Sequence, residues 1–292
     1  MSILVDKNTR VMVQGMTGTQ ASFHTKLSIE CGTNVVAGVN PHKGGTTCLD
    51  LPVFHTVEEA KKETQANATV LFVPANAVKS AMQETIEAEI PLAVCITAGV
   101  PIHDMLEIKY MLKGSRTRML GPNTPGIITP GEARLGIFPE NIHKKGCVGL
   151  MSSSSTLTYE GVVEANRAGL GQSTVVGLGD DMIMGAGFID ILNKFMEDEE
   201  TKAIVMLGGQ SWPYEAAAIE YYGALSRKKP LIGFVADHIE PFKYSLGYAG
   251  DIMANRNISP KEKRRFMLDS GMIVIDNINQ LHEELNNLFG KK

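Results

Sequence analysis

Short, continuous runs of apolar β-type residues alternate along this chain with helix-compatible stretches of about ten residues, and that alternation constrains the fold more than any other feature. In the first half the runs fall at 10–14, 33–39, 69–73, 92–96 and 119–120, with helical stretches such as 57–63 and 78–88 between them. In the second half, strands at 147–151, 173–176, 203–207, 231–235 and 272–275 alternate with helices at 156–168, 188–196, 213–225 and 279–289. Ser259 followed by Pro260 reads as an N-cap with proline at the first helical position, opening a further helix to about Asp269. Unbroken apolar strands are buried on both faces, which is the pattern of parallel sheets covered by helices. The fold class is therefore α/β. Residues 121–131 concentrate Pro122, Pro125 and Pro130 among three glycines, with Pro139 just beyond, and mark the best boundary between two open-sheet domains. The expected division is 1–122, a boundary segment 123–146, and 147–292.

The chain has 292 residues, of which 43% are hydrophobic, enough for two such domains to bury their cores without a disulfide or metal. A net charge of -4 argues against a protein that coats nucleic acid. The run from Lys261 to Arg265 includes Glu262 and reads as a solvated helix face. No apolar run approaches the ~18 residues needed to span a bilayer. Charges at Asp6, Lys7 and Arg10 occupy the place of a signal-peptide core. The four cysteines (Cys31, Cys48, Cys95, Cys147) lack metal-ligand spacing and fit free thiols. A cytoplasmic or equivalent reducing compartment is expected.

In open parallel sheets, ligands bind beyond the carboxyl ends of the strands. The first such loop is Gly15-Met16-Thr17-Gly18-Thr19-Gln20, whose glycines bring backbone amides toward an anion at a helix N-terminus. It is not a GxGxxG fingerprint. The second strand ends with Lys43 near the place where dinucleotide enzymes carry an acid for the ribose hydroxyl. A cation there suits a phosphate-bearing nucleotide such as coenzyme A or NADP, against the alternative of a tight turn with a surface lysine. The hydroxyl run Ser152-Ser153-Ser154-Ser155 before a helix can cap it or cradle an oxyanion. Asp180 and Asp181 read as a solvated turn, and the seven histidines show no metal spacing, so no metal site is expected. Neither a GxSxG elbow nor a Walker A motif occurs.

These motifs together resemble the α subunit of succinyl-CoA synthetase (succinate–CoA ligase) over essentially the full length. The resemblance is carried by the start Ser2-Ile3-Leu4-Val5-Asp6-Lys7-Asn8-Thr9, by the Gly15–Gln20 turn, and by Lys43-Gly44-Gly45-Thr46-Thr47. Leu51-Pro52-Val53-Phe54, Gly121-Pro122-Asn123, Thr129-Pro130-Gly131-Glu132, Thr156-Leu157-Thr158-Tyr159-Glu160 and Gly171-Gln172-Ser173-Thr174 extend it. It implies a Rossmann-like CoA-binding N-terminal domain and a flavodoxin-like C-terminal domain. It also implies a β-type partner subunit carrying ATP or GTP with magnesium. Coenzyme A contacts carry over onto Thr17, Gly18, Thr19, Gln20, Lys43, Ile96, Thr97 and Ala98. Substrate contacts fall on Asn123 and Tyr159, and Ser154 and Ser155 are candidates for the phosphate site.

The departures cluster where the family handles phosphate. Its phosphorylated histidine lies in a Gly-His-Ala-Gly turn, and here the turn is Gly247-Tyr248-Ala249-Gly250. A phenol of pKa ~10 is a poorer phosphate acceptor at neutral pH than an imidazole near ~6.5. The Gly-Glu-Ile-Gly-Gly segment whose glutamate orients that histidine is here Gly208-Gly209-Gln210-Ser211-Trp212, without the glutamate. An arginine is missing from the serine run, Asp180 adds a charge beside Asp181, and Thr124 stands where a cysteine often follows Pro-Asn. The expected function is a CoA-binding α-type subunit of an acid–CoA ligase with the phosphohistidine relay altered or lost, with Tyr248 at the relay position. The alternative is a non-catalytic CoA-binding paralogue that regulates or scaffolds a β-type subunit.

Overall fold

Strand register decides which loops can meet. In the computed structural model, which describes residues 2–208, 212–235 and 259–290, the first sheet is built on β1 (Arg10–Gln14). On one side of β1 lies β2 (Asn34–Val39), then β4 (Leu51–Phe54) and the short antiparallel β3 (Thr47–Cys48). On the other side lie β5 (Ala68–Leu71), β6 (Leu92–Cys95) and β7 (Arg118–Leu120). With β3 set aside, the parallel strands follow the 3-2-1-4-5-6 order of a dinucleotide-binding sheet, whose switch point lies between β1 and β5. Gln14 pairs with Val39 on one side and with Leu71 on the other, and Leu71 pairs with Cys95. Four strands therefore end flush, and the loops that follow them share one edge.

Helices cover the face of this sheet to which Met12, Ala37, Val39, Leu71, Ala93 and Cys95 belong by register. Val57 and Ala60 of α2 (Val57–Thr64) pack with Met12, Ala37 and Val39. Val78, Ala81 and Met82 of α3 (Val78–Glu87) and Met105 and Ile108 of α4 (Ile102–Leu112) join Leu71, Ala93 and Cys95 in a second cluster. Gln14 is buried with Thr69 and Thr85 and donates through Nε2 to Thr69 Oγ1 at 3.2 Å and Thr85 Oγ1 at 2.9 Å, so burying its amide leaves the nitrogen satisfied. Helix α1 (Thr19–Glu30) follows β1 directly.

The proline- and glycine-rich stretch expected to mark a boundary carries an antiparallel hairpin, β8 (Gly126–Thr129) with β9 (Ala133–Gly136), every strand residue of it buried. The hairpin belongs to a compact unit comprising residues 2–140 and 177–186. Arg134 fastens it to α1: its guanidinium donates to His24 O at 3.0 Å and Ser28 Oγ at 2.8 Å, and also to Phe138 O. Thr33 Oγ1 accepts from Arg134 N at 2.9 Å. Prolines and glycines here serve tight turns inside a packed element, a use that local composition does not distinguish from a linker.

The second unit comprises 141–176 and the residues from 187 onward. Its sheet runs in the order β11 (Gln172–Gly177), β10 (Lys145–Ser152), β12 (Ala203–Gly208), β13 (Leu231–Val235) and β14 (Ile273–Val274). Counted along the chain this is 2-1-3-4-5, the flavodoxin-like order, with its switch point between β10 and β12. Among the described residues five helices accompany it: α5 (Ser155–Arg167), α6 (Phe188–Glu197), α7 (Trp212–Ala224), α8 (Pro260–Asp269) and α9 (Leu281–Phe289). Ser259 caps α8 in a reciprocal box with Glu262, as its sequence predicts. His282 of α9 lies 2.6 Å from buried Glu164 of α5, which also accepts from Arg167 at 2.8 Å.

Replacing Arg134 by Met keeps an apolar stem but removes the donors for two buried carbonyls. The expected loss is about 3 kcal/mol, read as a lower midpoint in urea unfolding of the first unit followed by its own probe.

Candidate functional site

The flush ends of β1, β2, β5 and β6 assemble the first site. Gly15 begins the turn after β1 at φ +80, and a Cβ on it would lie 2.7 Å from the carbonyl oxygen of Phe72. Only glycine lets this turn lie against the end of β5 in that conformation. The turn closes with Gly18 N donating to Gly15 O at 3.0 Å. Gly18 is the N-cap of α1 and supplies no side-chain cap, and the helix has no acid in its first turn. The amides of its first turn thus face the loop with the positive end of the helix dipole behind them, which suits an anion. Gly18, Thr19 and Gln20 are exposed and Thr17 is half-buried.

The β2 loop is fastened to this turn. Asn40 Nδ2 donates to Thr17 Oγ1 at 2.8 Å, while Asn40 Oδ1 accepts from His42 N at 2.9 Å and Asn40 O from Lys43 N at 3.1 Å. One asparagine therefore sets Lys43, which is exposed, relative to Thr17. Its role is missed when the sequence is read for charge alone, although an Asn-Pro pair after a strand signals such a turn. Across the switch point, Ile96 N donates to Leu71 O at 3.2 Å and Thr97 Oγ1 to Val73 O at 2.6 Å, which brings the 96–98 loop to the same edge.

Asn123 joins this edge. It adopts φ +57, donates its N–H to Thr97 O at 2.9 Å, and donates through Nδ2 to Asp181 Oδ1 at 3.1 Å. Partial desolvation pushes both Asp180 and Asp181 above the usual carboxylate range. The Asp181 charge adds to the rise at Asp180, and the Asn123 hydrogen bond restrains it at Asp181. The expected solvated turn is thus half right: Asp180 is exposed, whereas Asp181 is half-buried and tied to Asn123. Thr124 donates to Gly177 O at 2.7 Å and accepts from Gly126 N at 2.9 Å, so its hydroxyl is used within the fold. Burial pushes the Cys95 thiol up to about 12, consistent with an inert residue. All four cysteines are free, Cys95 buried and the others half-buried. Among the described residues no group of three or more His, Cys, Asp or Glu could hold a metal.

In the second unit, Ser152 ends β10 and pairs with Leu207. Ser152 Oγ accepts from Ser154 N at 3.0 Å, and Ser154 caps α5 by accepting from Leu157 N at 3.4 Å. Of the four hydroxyls, that of Ser154 is used in capping, and Ser155, half-buried in the first turn, stands at the amides an anion would meet. Tyr159 lies one turn further along α5. At the end of β12, a Cβ on Gly208 would meet the carboxyl carbon of Glu215 at 2.6 Å, and Glu215 is fully buried in the first turn of α7. The sequence comparison registered the glutamate lost from 208–212 and missed this one, a lone acid just before an alanine-rich helical stretch. Tyr248, with the rest of Gly247–Gly250, lies outside the described residues.

Residues 6–99 match the CoA binding domain family and 151–237 the CoA-ligase family. The α subunit of ADP-forming succinate–CoA ligase from Staphylococcus epidermidis is 45% identical over 276 residues, covering 94% of this chain and 91% of that protein. Its Staphylococcus aureus counterpart is 45% identical over 93% of this chain and 90% of its own length. The chain belongs to the family of succinate–CoA ligase α subunits. Its first half carries the CoA binding domain of that family. Similar folds are found in the ATP citrate lyase of Methanosaeta concilii, solved with (3S)-citryl-CoA, and in the dinucleotide-forming acetyl-coenzyme A synthetase 1 of Ca. Korarchaeum cryptofilum. The first has TM-score 0.84 and 23% identity over 99% of this chain, the second 0.78 and 19% over 97%. This chain spans 50% and 61% of those longer chains. The two open sheets are thus the α-subunit pair of domains, Rossmann-like and then flavodoxin-like. No helix among the described residues is long and apolar enough to cross a membrane.

Two outcomes follow for this chain. Asn40→Ala unfastens Lys43 from Thr17, and titration calorimetry with coenzyme A is expected to show affinity weakened about tenfold. For Asp181 the folded carboxyl holds its proton more tightly than the unfolded one, so stability falls as pH rises through the interval between the two pKa values. Asp181→Asn keeps an acceptor for Asn123 and removes that cost. Melting temperatures from about pH 3 to 8 should show the variant gaining on wild type above the carboxylate range and converging with it in acid.

Proposed function

We propose that this chain is the coenzyme A-binding subunit of an acid–CoA ligase whose phosphoryl relay through a protein histidine is altered or lost. It works in the cytoplasm, or an equivalent reducing compartment, with a β-type subunit that carries ATP or GTP with magnesium. The carrying observation is a contrast. The Gly15 turn, Asn40 and the Lys43 loop form one bonded unit suited to a phosphorylated nucleotide, whereas the relay position reads Tyr248. The residues present fit coenzyme A: uncapped amides at the start of α1, a turn that glycine keeps close to β5, and an exposed cation at the end of β2.

In this reading Thr17, Gly18, Thr19 and Gln20 hold phosphate through backbone and hydroxyl donors, and Lys43 supplies charge. Ile96, Thr97 and Ala98 border the rest of the cofactor. Coenzyme A supplies a thiol as acyl acceptor. Asn123 and Tyr159 contact the acid substrate, and Ser154 and Ser155 stand at the helix terminus where phosphate is steadied. A phosphate ester on Tyr248 is far less ready than a phosphoramidate to pass its phosphoryl group on, so a transfer without a protein carrier replaces the relay. The loss of the relay histidine together with its orienting glutamate favours a second reading, a non-catalytic subunit that scaffolds the β chain.

Incubation of the α–β complex with ATP or GTP, magnesium and candidate acids separates these readings by intact mass and turnover. Acyl-CoA formation is expected without the about 80 Da increment of a stable phosphoryl adduct. An adduct on Tyr248 that chases into product would overturn the altered relay, and absence of turnover with any acid favours the scaffold.

A further inference from the structure

Beside Lys43 the structure holds a second potential cation that no motif announces. His55 follows β4, and its ring lies directly on the Lys43 turn: a Cβ on Gly44 would sit 2.3–2.5 Å from three ring atoms. Glycine at 44 is therefore the space His55 occupies. His55 Nδ1 lies 3.1 Å from Pro41 O, and a carbonyl can only accept, so Nδ1 carries the proton. The backbone N of His55 donates to Glu59 Oε2 at 3.1 Å, fixing the residue from the side of α2. With Nδ1 committed to the turn, Nε2 remains for a ligand, and in the protonated ring it donates to a phosphate oxygen.

The turn itself is rigid. Asn40 N donates to Phe54 O at 2.9 Å, Gly45 N to Val53 O at 2.8 Å, and Thr46 Oγ1 to Lys43 O at 2.7 Å. On this frame His42, Lys43 and His55 are all exposed. In a sheet of this order the end of β2 meets the ribose of a bound nucleotide, where dinucleotide sites place an acid for a hydroxyl or a cation for a phosphate. Here one lysine and two imidazoles occupy that place. A phosphomonoester carries about −1.5 to −2 charge at neutral pH and three acceptor oxygens, more than a single ammonium satisfies.

We propose that His55 and His42 complete, with Lys43, a seat for the ribose phosphate of coenzyme A and make the chain selective for the phosphorylated cofactor. The inference rests on coenzyme A as the ligand of the first unit. Its test is titration calorimetry of the full chain with coenzyme A and with 3′-dephospho-coenzyme A, on wild type, His55→Gln and His42→Gln. Among the described residues the side chain of His42 makes no hydrogen bond, so its variant is expected to fold normally whatever becomes of His55. Wild type should prefer coenzyme A, and each variant should lose about tenfold of that preference while binding the dephospho form as before. Equal weakening toward both ligands marks a purely structural role for His55 and overturns the proposal, as does a preference unchanged in both variants. Wild type that binds neither ligand overturns the coenzyme A reading instead.

Discussion

The contact between Gly15 and the carbonyl of Phe72 is the constraint on which the first unit depends. At φ +80 and with a backbone oxygen 2.7 Å from where a Cβ would be, the position admits no side chain. Because the turn can lie so close to β5, α1 starts at the switch point of the sheet and presents uncapped amides there. The neighbouring loops can be fastened to it only because the strands end flush, Gln14 beside Val39 and Leu71. Asn40 uses that alignment, binding Thr17 on one strand's loop while shaping the Lys43 turn on the next. The Gly15 turn, the Lys43 turn and the 96–98 loop thus share one edge as a consequence of one register.

The second unit uses its switch point differently. Ser154 caps α5 through its own hydroxyl, and buried Glu215 places a carboxyl against the last residue of β12. Each helix start therefore has a side-chain oxygen close to its amides, whereas α1 in the first unit has none. A capping serine and a desolvated acid both lower the positive potential that a helix terminus offers an anion.

Much of this was legible from residue patterns. Apolar runs placed the long strands of both sheets within a few residues but missed β3 and β4, because only parallel strands buried on both faces have no polar side to blur the signal. Ser259 and Pro260 announced α8 through capping chemistry, which is local. The Gly15 turn and Lys43 were recognisable because glycine and a cation after a strand carry meaning in sequence. The hairpin of 126–136 was not, since its prolines and glycines look the same in a linker. Its burial depends on Arg134, whose partners His24 and Ser28 lie over a hundred residues away in the chain. Asp181 was read as solvated because its partner, Asn123, comes from another loop.

By itself, then, the sequence determined the class of fold, the two sheets and the family, because each rests on periodicity or on short motifs whose chemistry is local. Tertiary structure alone decided that Asn40 joins two loops, that Glu215 lies buried beneath Gly208, and that His55 folds back over Gly44 beside Lys43. Those facts depend on register and on the close approach of backbone at glycines, and both are settled only when distant strands pair.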